Sequence, residues 1–246
     1  SVGGVIKYTE DITFSSSNLL NRFGGVYSKP QKSFIKQLKN KYSFDDIKIL
    51  IDDLKDTKVL VIGETIVDQY VFCEALGKSG KEPVLVLRDI ETEQYIGGTA
   101  AIARHLADFC GEVTLLSILG EKGEYEDFIR SNIPRNVATF FLYKTDSPTI
   151  VKKRFVDHIN KSKVLGVYSL NEEVIKEDIE IQFLDRFEKL IPQHDVVIVS
   201  DYGHGMISPK AAEYIAEKAS FLALNAQVNA ANIGYHTMNK YQSVEC

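Results

Sequence analysis

With 246 residues, 44% of them hydrophobic and 26% charged, the chain is long enough for a sizeable core and has the make-up of an ordinary globular protein. A net charge of -5 argues against nucleic-acid binding, which rests on Lys and Arg meeting phosphates, and the local basic runs at 29–41 and 152–154 read as solvated faces. Cys73, Cys110 and Cys246 are widely spaced with no CxxC, and no apolar run approaches membrane-spanning length. These features exclude a disulfide framework and a zinc site, and imply a reducing, cytoplasmic setting with neither membrane nor nucleic acid as partner.

Residues 1 to about 42, rich in Ser, Gly, Asn and Lys, read as linking chain with a short helix near 32–39. Ser43 and Asp46 form an S-x-x-D cap for a helix whose apolar stripe is Phe44, Ile47, Leu50, Ile51 and Leu54. From Lys58 short apolar strands alternate with amphipathic helices. KVLVIG (58–63) is a doubly buried strand, followed after an insertion by a helix over 98–109 with Ile102, Leu106 and Phe109 on one side. EVTLLSILG (112–120), a short helix near 125–130 and VATFFLY (137–143) come next. A helix over about 176–190 precedes DVVIVSD (195–201). Ser208 and Pro209 are the N-cap and N1 of another helix, and FLALN (221–225) opens a further strand. Such alternation predicts an α/β fold, a mainly parallel sheet with helices on both faces.

Two stretches break the alternation. QYVFCEAL (69–76) with PVLVLRDIE (83–91), and TIVKKRFVD (149–157) with KVLGVYSL (163–170), are strand pairs without intervening helices. They predict antiparallel hairpins in a separate small sheet, acting as a lid or a dimer contact.

Ligands of open parallel sheets bind outside the carboxyl ends of the strands. That rim collects Gly63, Glu64 and Asp68, then Gly120, then Asp201, Tyr202 and Gly203, with Gly97 and Gly98 opening a helix whose N–H groups can face a polar ligand. Asp68 and Asp201 are candidate acceptors for substrate hydroxyls. Each feature also has a plain structural reading: a Gly-Gly tight turn, Asp as turn or cap residue, and DYGHG as a turn with His204 on the surface. No GxGxxG or Walker A pattern is present.

The order and wording of VLVIGETIVDQY (59–70), KSGKEPVLVL (78–87), YIGGTAAIARHLADFCGEVTLLSILG (95–120), SPTIVKKRFV (147–156) and IVSDYGHGMIS (198–208) resemble ribokinase-like (PfkB) sugar kinases. Within them the resemblance is greatest to heptose-phosphate kinases of bacterial ADP-heptose synthesis, and it covers roughly 58–225. It implies that Asp68, Gly97 and Gly98 line a sugar pocket, that Lys152 and Arg154 meet a sugar-bound phosphate, and that Asp201 and Gly203 flank the pocket floor. It also implies ATP and Mg2+ as cofactors, a sugar or sugar phosphate as ligand, and a homodimer through the β lid (69–91 and 149–170).

Three departures accompany the resemblance. Ala101 stands where the family's G-G-A-A-N carries a sugar-binding Asn, and Glu64 replaces the usual Asp. Asn225, Gln227, Asn229 and Asn232 replace a D-P-K-like segment. No G-A-G-D-like segment, whose Asp is the family's catalytic base, occurs in the sequence, so no catalytic residue is assigned. Residues 43–246 are expected to form an incomplete kinase domain lacking the C-terminal part of the fold, inactive by itself. GGVIKYTEDITFSSSNLLNRF (3–23) resembles the closing segment of nucleotidyltransferases through Ser15, Ser16, Ser17 and Arg22, which makes 1–42 either a linker or the tail of such a domain. The expected function is a sugar-phosphate kinase in nucleotide-sugar precursor synthesis. The alternatives are a non-catalytic sugar or nucleotide-sugar binding module and a purely structural dimerisation unit.

Overall fold

The computed structural model describes residues 27–227 and 237–246, and the chain divides into two units between Leu50 and Ile51. Helix α1 (Lys29–Lys41) lies in the first unit. Ser28 caps it in a reciprocal box, its backbone N–H donating to Gln31 Oε1 at 2.8 Å while Gln31 N–H turns back to Ser28 Oγ. Helix α2 (Phe44–Asp53) starts at the predicted cap: Ser43 N–H donates to Asp46 Oδ2 at 2.8 Å and Asp46 N–H to Ser43 Oγ at 3.1 Å. Its expected core stripe is not buried. Phe44, Leu50, Ile51 and Leu54 are all exposed, so period alone misjudged what this helix faces.

The second unit is built on β1 (Lys58–Lys78), β2 (Leu85–Gly97), α3 (Gly98–Leu106), β3 (Glu112–Gly120), α4 (Glu126–Ser131), β4 (Val137–Lys144), β5 (Ile150–Asp157), β6 (Lys163–Ser169), α5 (Glu177–Leu190), β7 (Val196–Asp201), α6 (Pro209–Lys218) and β8 (Leu222–Ala226). Five strands form a parallel sheet in the order β4-β3-β1-β7-β8. Its strands alternate sides. Leu60, Ile62, Leu116 and Ile118 pack with Phe183 and Phe187 of α5 and Ala212 and Ile215 of α6, whereas Val59, Val61, Val113 and Leu115 pack with Ala100 and Ala103 of α3 and Ile129 of α4. Helices thus cover both faces, as the alternation predicted. Each fully buried Phe contributes about 2–3 kcal/mol. Ser208 caps α6 by accepting Ala211 N–H at 3.1 Å, with Pro209 at the first helical position.

The two hairpins form the expected small sheet, in the order β2-β1-β5-β6. One expectation fails here: 58–63 and 69–76 are not two strands but one, because β1 runs unbroken through both sheets. Its first half pairs in parallel with β3 and β7, and its second half pairs with β2 and β5. β2 extends to Gly97, beyond the predicted 83–91, since Glu91, Thr92 and Gln94 are exposed on an edge strand where no apolar alternation is required. Helix α3 ends at Leu106, short of the predicted 109, and Phe109 is exposed.

Candidate functional site

The lid register sets which side chains share a face. β1 pairs Asp68 with Tyr95 on one side and with Lys152 on the other, Tyr70 pairs with Arg154, and Lys152 pairs with Tyr168. Side chains alternate along a strand, so Asp68, Tyr70, Lys152, Arg154 and Tyr168 emerge together. Arg154 Nη1 bonds to Asp68 Oδ1, and its guanidinium lies 5.5 Å from the Tyr70 ring centre and 5.9 Å from that of Tyr168.

Asp68 is also pressed against the start of α3. A Cβ at Gly97 would lie 2.2 Å from Asp68 Oδ2, and one at Gly98, whose φ is +58°, would lie 2.4 Å from Glu64 O. Any side chain here displaces either the carboxylate or β1 itself. The half-buried Lys152 reaches across to the loop after β7, its Nζ 5.9 Å from the Tyr202 ring. Burial lowers its pKa, and Asp68 partly opposes the shift. Among the described residues no carboxylate forms an ion pair with Lys152, so the lid presents two neighbouring cations of which one is committed to Asp68.

Beneath them, the 200–206 loop is pinned from inside. Glu64 is fully buried and accepts the N–H groups of Tyr202 at 2.9 Å, His204 at 3.2 Å and Met206 at 3.3 Å. Burial, then the charge of Asp201, raise its pKa. Asp201 turns inward as well: Oδ1 accepts Gly203 N–H at 2.9 Å, while Oδ2 meets Tyr241 Oη at 2.9 Å and Lys240 Nζ at 2.7 Å. Burial, with Asp201 second, pushes the Tyr241 hydroxyl pKa up.

His204 is not the surface histidine expected from the sequence. It is 2% exposed, because the loop folds it under the lid, and its Nδ1 stands 3.5 Å from Glu172 Oε1. Neither ring nitrogen has a hydrogen-bond partner among the described residues. Burial first, then Lys152 and Lys144, hold its pKa down to about 4, so the ring is neutral at pH 7. Lys144, at the end of β4, donates to the carbonyls of Asn171 and Glu173, both at 2.6 Å, and of His204 at 3.1 Å.

The predicted residues therefore divide. Asp68, Gly97, Gly98, Lys152 and Arg154 come together at the junction of lid and sheet. Asp201 and Gly203 bond each other within the adjoining loop, with Tyr202 between them turned toward Lys152. Gly120 lies apart, its N–H donating to Thr149 Oγ1 at 2.9 Å. Ala101 is on α3 with no polar group to offer. Asn225 is in β8 and Gln227 N–H donates to Asp201 O at 2.8 Å; Asn229, Asn232, Ser15, Ser16, Ser17 and Arg22 lie outside the described residues. Sequence reasoning missed the pinning roles of Glu64, Lys144, Lys240 and Tyr241. A lone Glu inside an apolar strand was the available signal for the first. Among the described residues no group of three or more His, Cys, Asp or Glu side chains could hold a metal ion, and no helix is long and apolar enough to cross a membrane.

Chemically, the face joins a guanidinium, an ammonium and a carboxylate to tyrosine rings. Such a set suits a phosphate next to hydroxyl groups. Residues 56–232 match the model of the pfkB family carbohydrate kinases. The bifunctional protein HldE of Campylobacter jejuni subsp. jejuni serotype O:2 is 28% identical over 185 residues, 75% of this chain and 37% of that protein. The D-beta-D-heptose 7-phosphate kinase of Bordetella bronchiseptica is 28% identical over 150 residues, 61% of this chain and 47% of that one. The chain thus spans less than half the length of these curated relatives. An Arabidopsis thaliana ribokinase structure overlaps loosely, at 15% identity and a TM-score of 0.46, over 69% of this chain and 53% of that one. With the family model covering most of its length, the chain belongs to the pfkB family of carbohydrate kinases.

Proposed function

We propose that this chain carries the sugar-phosphate-binding side of a kinase whose complete protein transfers a phosphoryl group from ATP to a hydroxyl of a heptose-phosphate-like sugar. The observation that carries the reading is the Asp68–Arg154 ion pair with Lys152 beside it, facing Gly97 and the start of α3. Arg154 and Lys152 hold the substrate's phosphate, Asp68 accepts a sugar hydroxyl, and the first N–H groups of α3 contribute a positive end. The name of the B. bronchiseptica relative supports a heptose 7-phosphate. ATP supplies the phosphoryl group and Mg2+ offsets its charge; none of the described residues forms a metal-binding group, so no residue here is assigned to them.

The sequence contains no G-A-G-D-like segment to take the proton from the attacking hydroxyl, so the 246-residue polypeptide is expected to bind the sugar phosphate without consuming ATP. The complete protein would act in the cytoplasm in nucleotide-sugar synthesis, pairing through the lid, with 3–23 belonging to a nucleotidyltransferase.

Calorimetric titration of the polypeptide with heptose 7-phosphate tests the site. Arg154→Ala should weaken binding at least about tenfold and Arg154→Lys less, since a fork of donors is lost. Affinity unchanged by Arg154→Ala would overturn the reading. Ala101 favours a second one, a binding module without phosphoryl transfer. ATP binding by the full-length protein would count against that alternative.

A further inference from the structure

The other face of the lid holds a cavity of about 180 Å³ that the kinase reading does not use. It is lined by Gln69 of β1, Val151 and Lys153 of β5 and Val167 of β6, the residues that alternate with those of the Asp68 face. Glu124 and Tyr125, from the turn after β3, close one side. Its volume is more than about ten times what one water needs, room for a single sugar ring.

Gln69 is 91% buried, being 9% exposed, yet its Oε1 finds no hydrogen-bond partner among the described residues. A buried amide oxygen left bare is a cost to the fold, which a hydroxyl donor from a ligand removes. Lys153 and Glu124 bring one charge of each sign, so the cavity has no net charge to favour a phosphate. The Asp68 face differs, with two cations for one carboxylate. Val151, Val167 and the Tyr125 ring supply apolar surface for C–H groups.

We propose that this cavity binds a neutral, polyhydroxylated ring of monosaccharide size, with hydroxyls donating to Gln69 Oε1 and Glu124 and accepting from Lys153 Nζ. The site is separate from the sugar-phosphate site but shares strands β1 and β5 with it. Gln69 and Lys153 directly follow Asp68 and Lys152, so the two sites lie on opposite faces of the same strands.

The test titrates the 246-residue chain with D-mannose, D-glucose and mannose 6-phosphate, followed by calorimetry and saturation-transfer NMR. At least one neutral hexose should bind with a millimolar dissociation constant, tighter than mannose 6-phosphate at the same site. Gln69→Leu should weaken that binding about tenfold. Ser169→Trp, at an exposed position on the cavity lining, should abolish it, and Arg154→Ala should leave it unchanged. If Gln69→Leu fails to fold, Ser169→Trp decides alone. Absence of hexose binding, or binding lost in Arg154→Ala but kept in Ser169→Trp, overturns the proposal. The kinase reading is untouched by either result, because it stands on the effect of Arg154→Ala on heptose 7-phosphate.

Discussion

Glu64 accepts three backbone N–H groups from a single loop, and that is what makes a buried carboxylate tolerable beside Asp201. Glu64→Ala leaves those donors bare and should cost about 3 kcal/mol in urea unfolding, with faster amide exchange at Tyr202, His204 and Met206. Glu64→Gln, keeping one acceptor, should cost less; a Glu64→Ala protein as stable as the parent would refute the pinning role. His204 gives a pH signature. Its folded pKa, about 4, lies below the 6.5 of an unfolded histidine, so the unfolded chain takes up the proton first and stability falls as pH drops through 6.5 toward 4. Glu64, raised by burial and by Asp201, acts oppositely, losing stability as pH rises above 4.5. The difference between parent and His204→Leu isolates the histidine. From pH 7 to pH 5 the parent should lose more stability than the variant, and equal losses would show that the ring is not held neutral. Neither role was legible in the sequence. DYGHG marks a loop, but turn chemistry does not tell which side chains face inward, because that depends on the strand packed beneath.

The hairpins were legible as elements because strand-like runs followed one another with only turn residues between them. The continuity of β1 was not, since Glu64 and Thr65 interrupt the apolar run that signals a strand. In the fold these two are fully buried: Thr65 Oγ1 bonds Ser117 Oγ at 2.8 Å and Glu64 bonds the loop, so polar residues serve where apolar ones were expected. The stripe on α2 failed in the opposite sense, periodic yet exposed. Lys144 shows how elements are tied at this level. It joins the end of β4 to the 171–173 segment and to the His204 carbonyl, with burial lowering its pKa. Lys144→Met keeps the stem but removes three donated hydrogen bonds. It should destabilise by about 2 kcal/mol and speed exchange at Ile175, whose N–H donates to Gly205 O in the same junction. Unaltered exchange there would mean the lysine ties nothing.

At the scale of the molecule, the apolar surface is unevenly placed. β2 exposes Leu85, Val86 and Ile90, and β6 exposes Val164, Leu165 and Tyr168, and these are the two edge strands of the lid. An edge strand carrying large apolar groups invites pairing with another chain. The parallel sheet is better covered at β8, where Leu224 N–H donates to Cys246 O at 2.8 Å and Glu245 N–H to Leu222 O at 3.1 Å. Association of two copies is therefore expected through the lids, in a two-fold arrangement that sets the same patch against itself. Light scattering at micromolar concentration should give twice the mass of one chain. Leu85→Lys combined with Leu165→Lys should return the monomer with an unchanged far-UV spectrum, since both side chains are more than half exposed and leave the core intact. A parent protein that stays monomeric, or a double variant that stays dimeric, would show that the lid edges do not carry the contact.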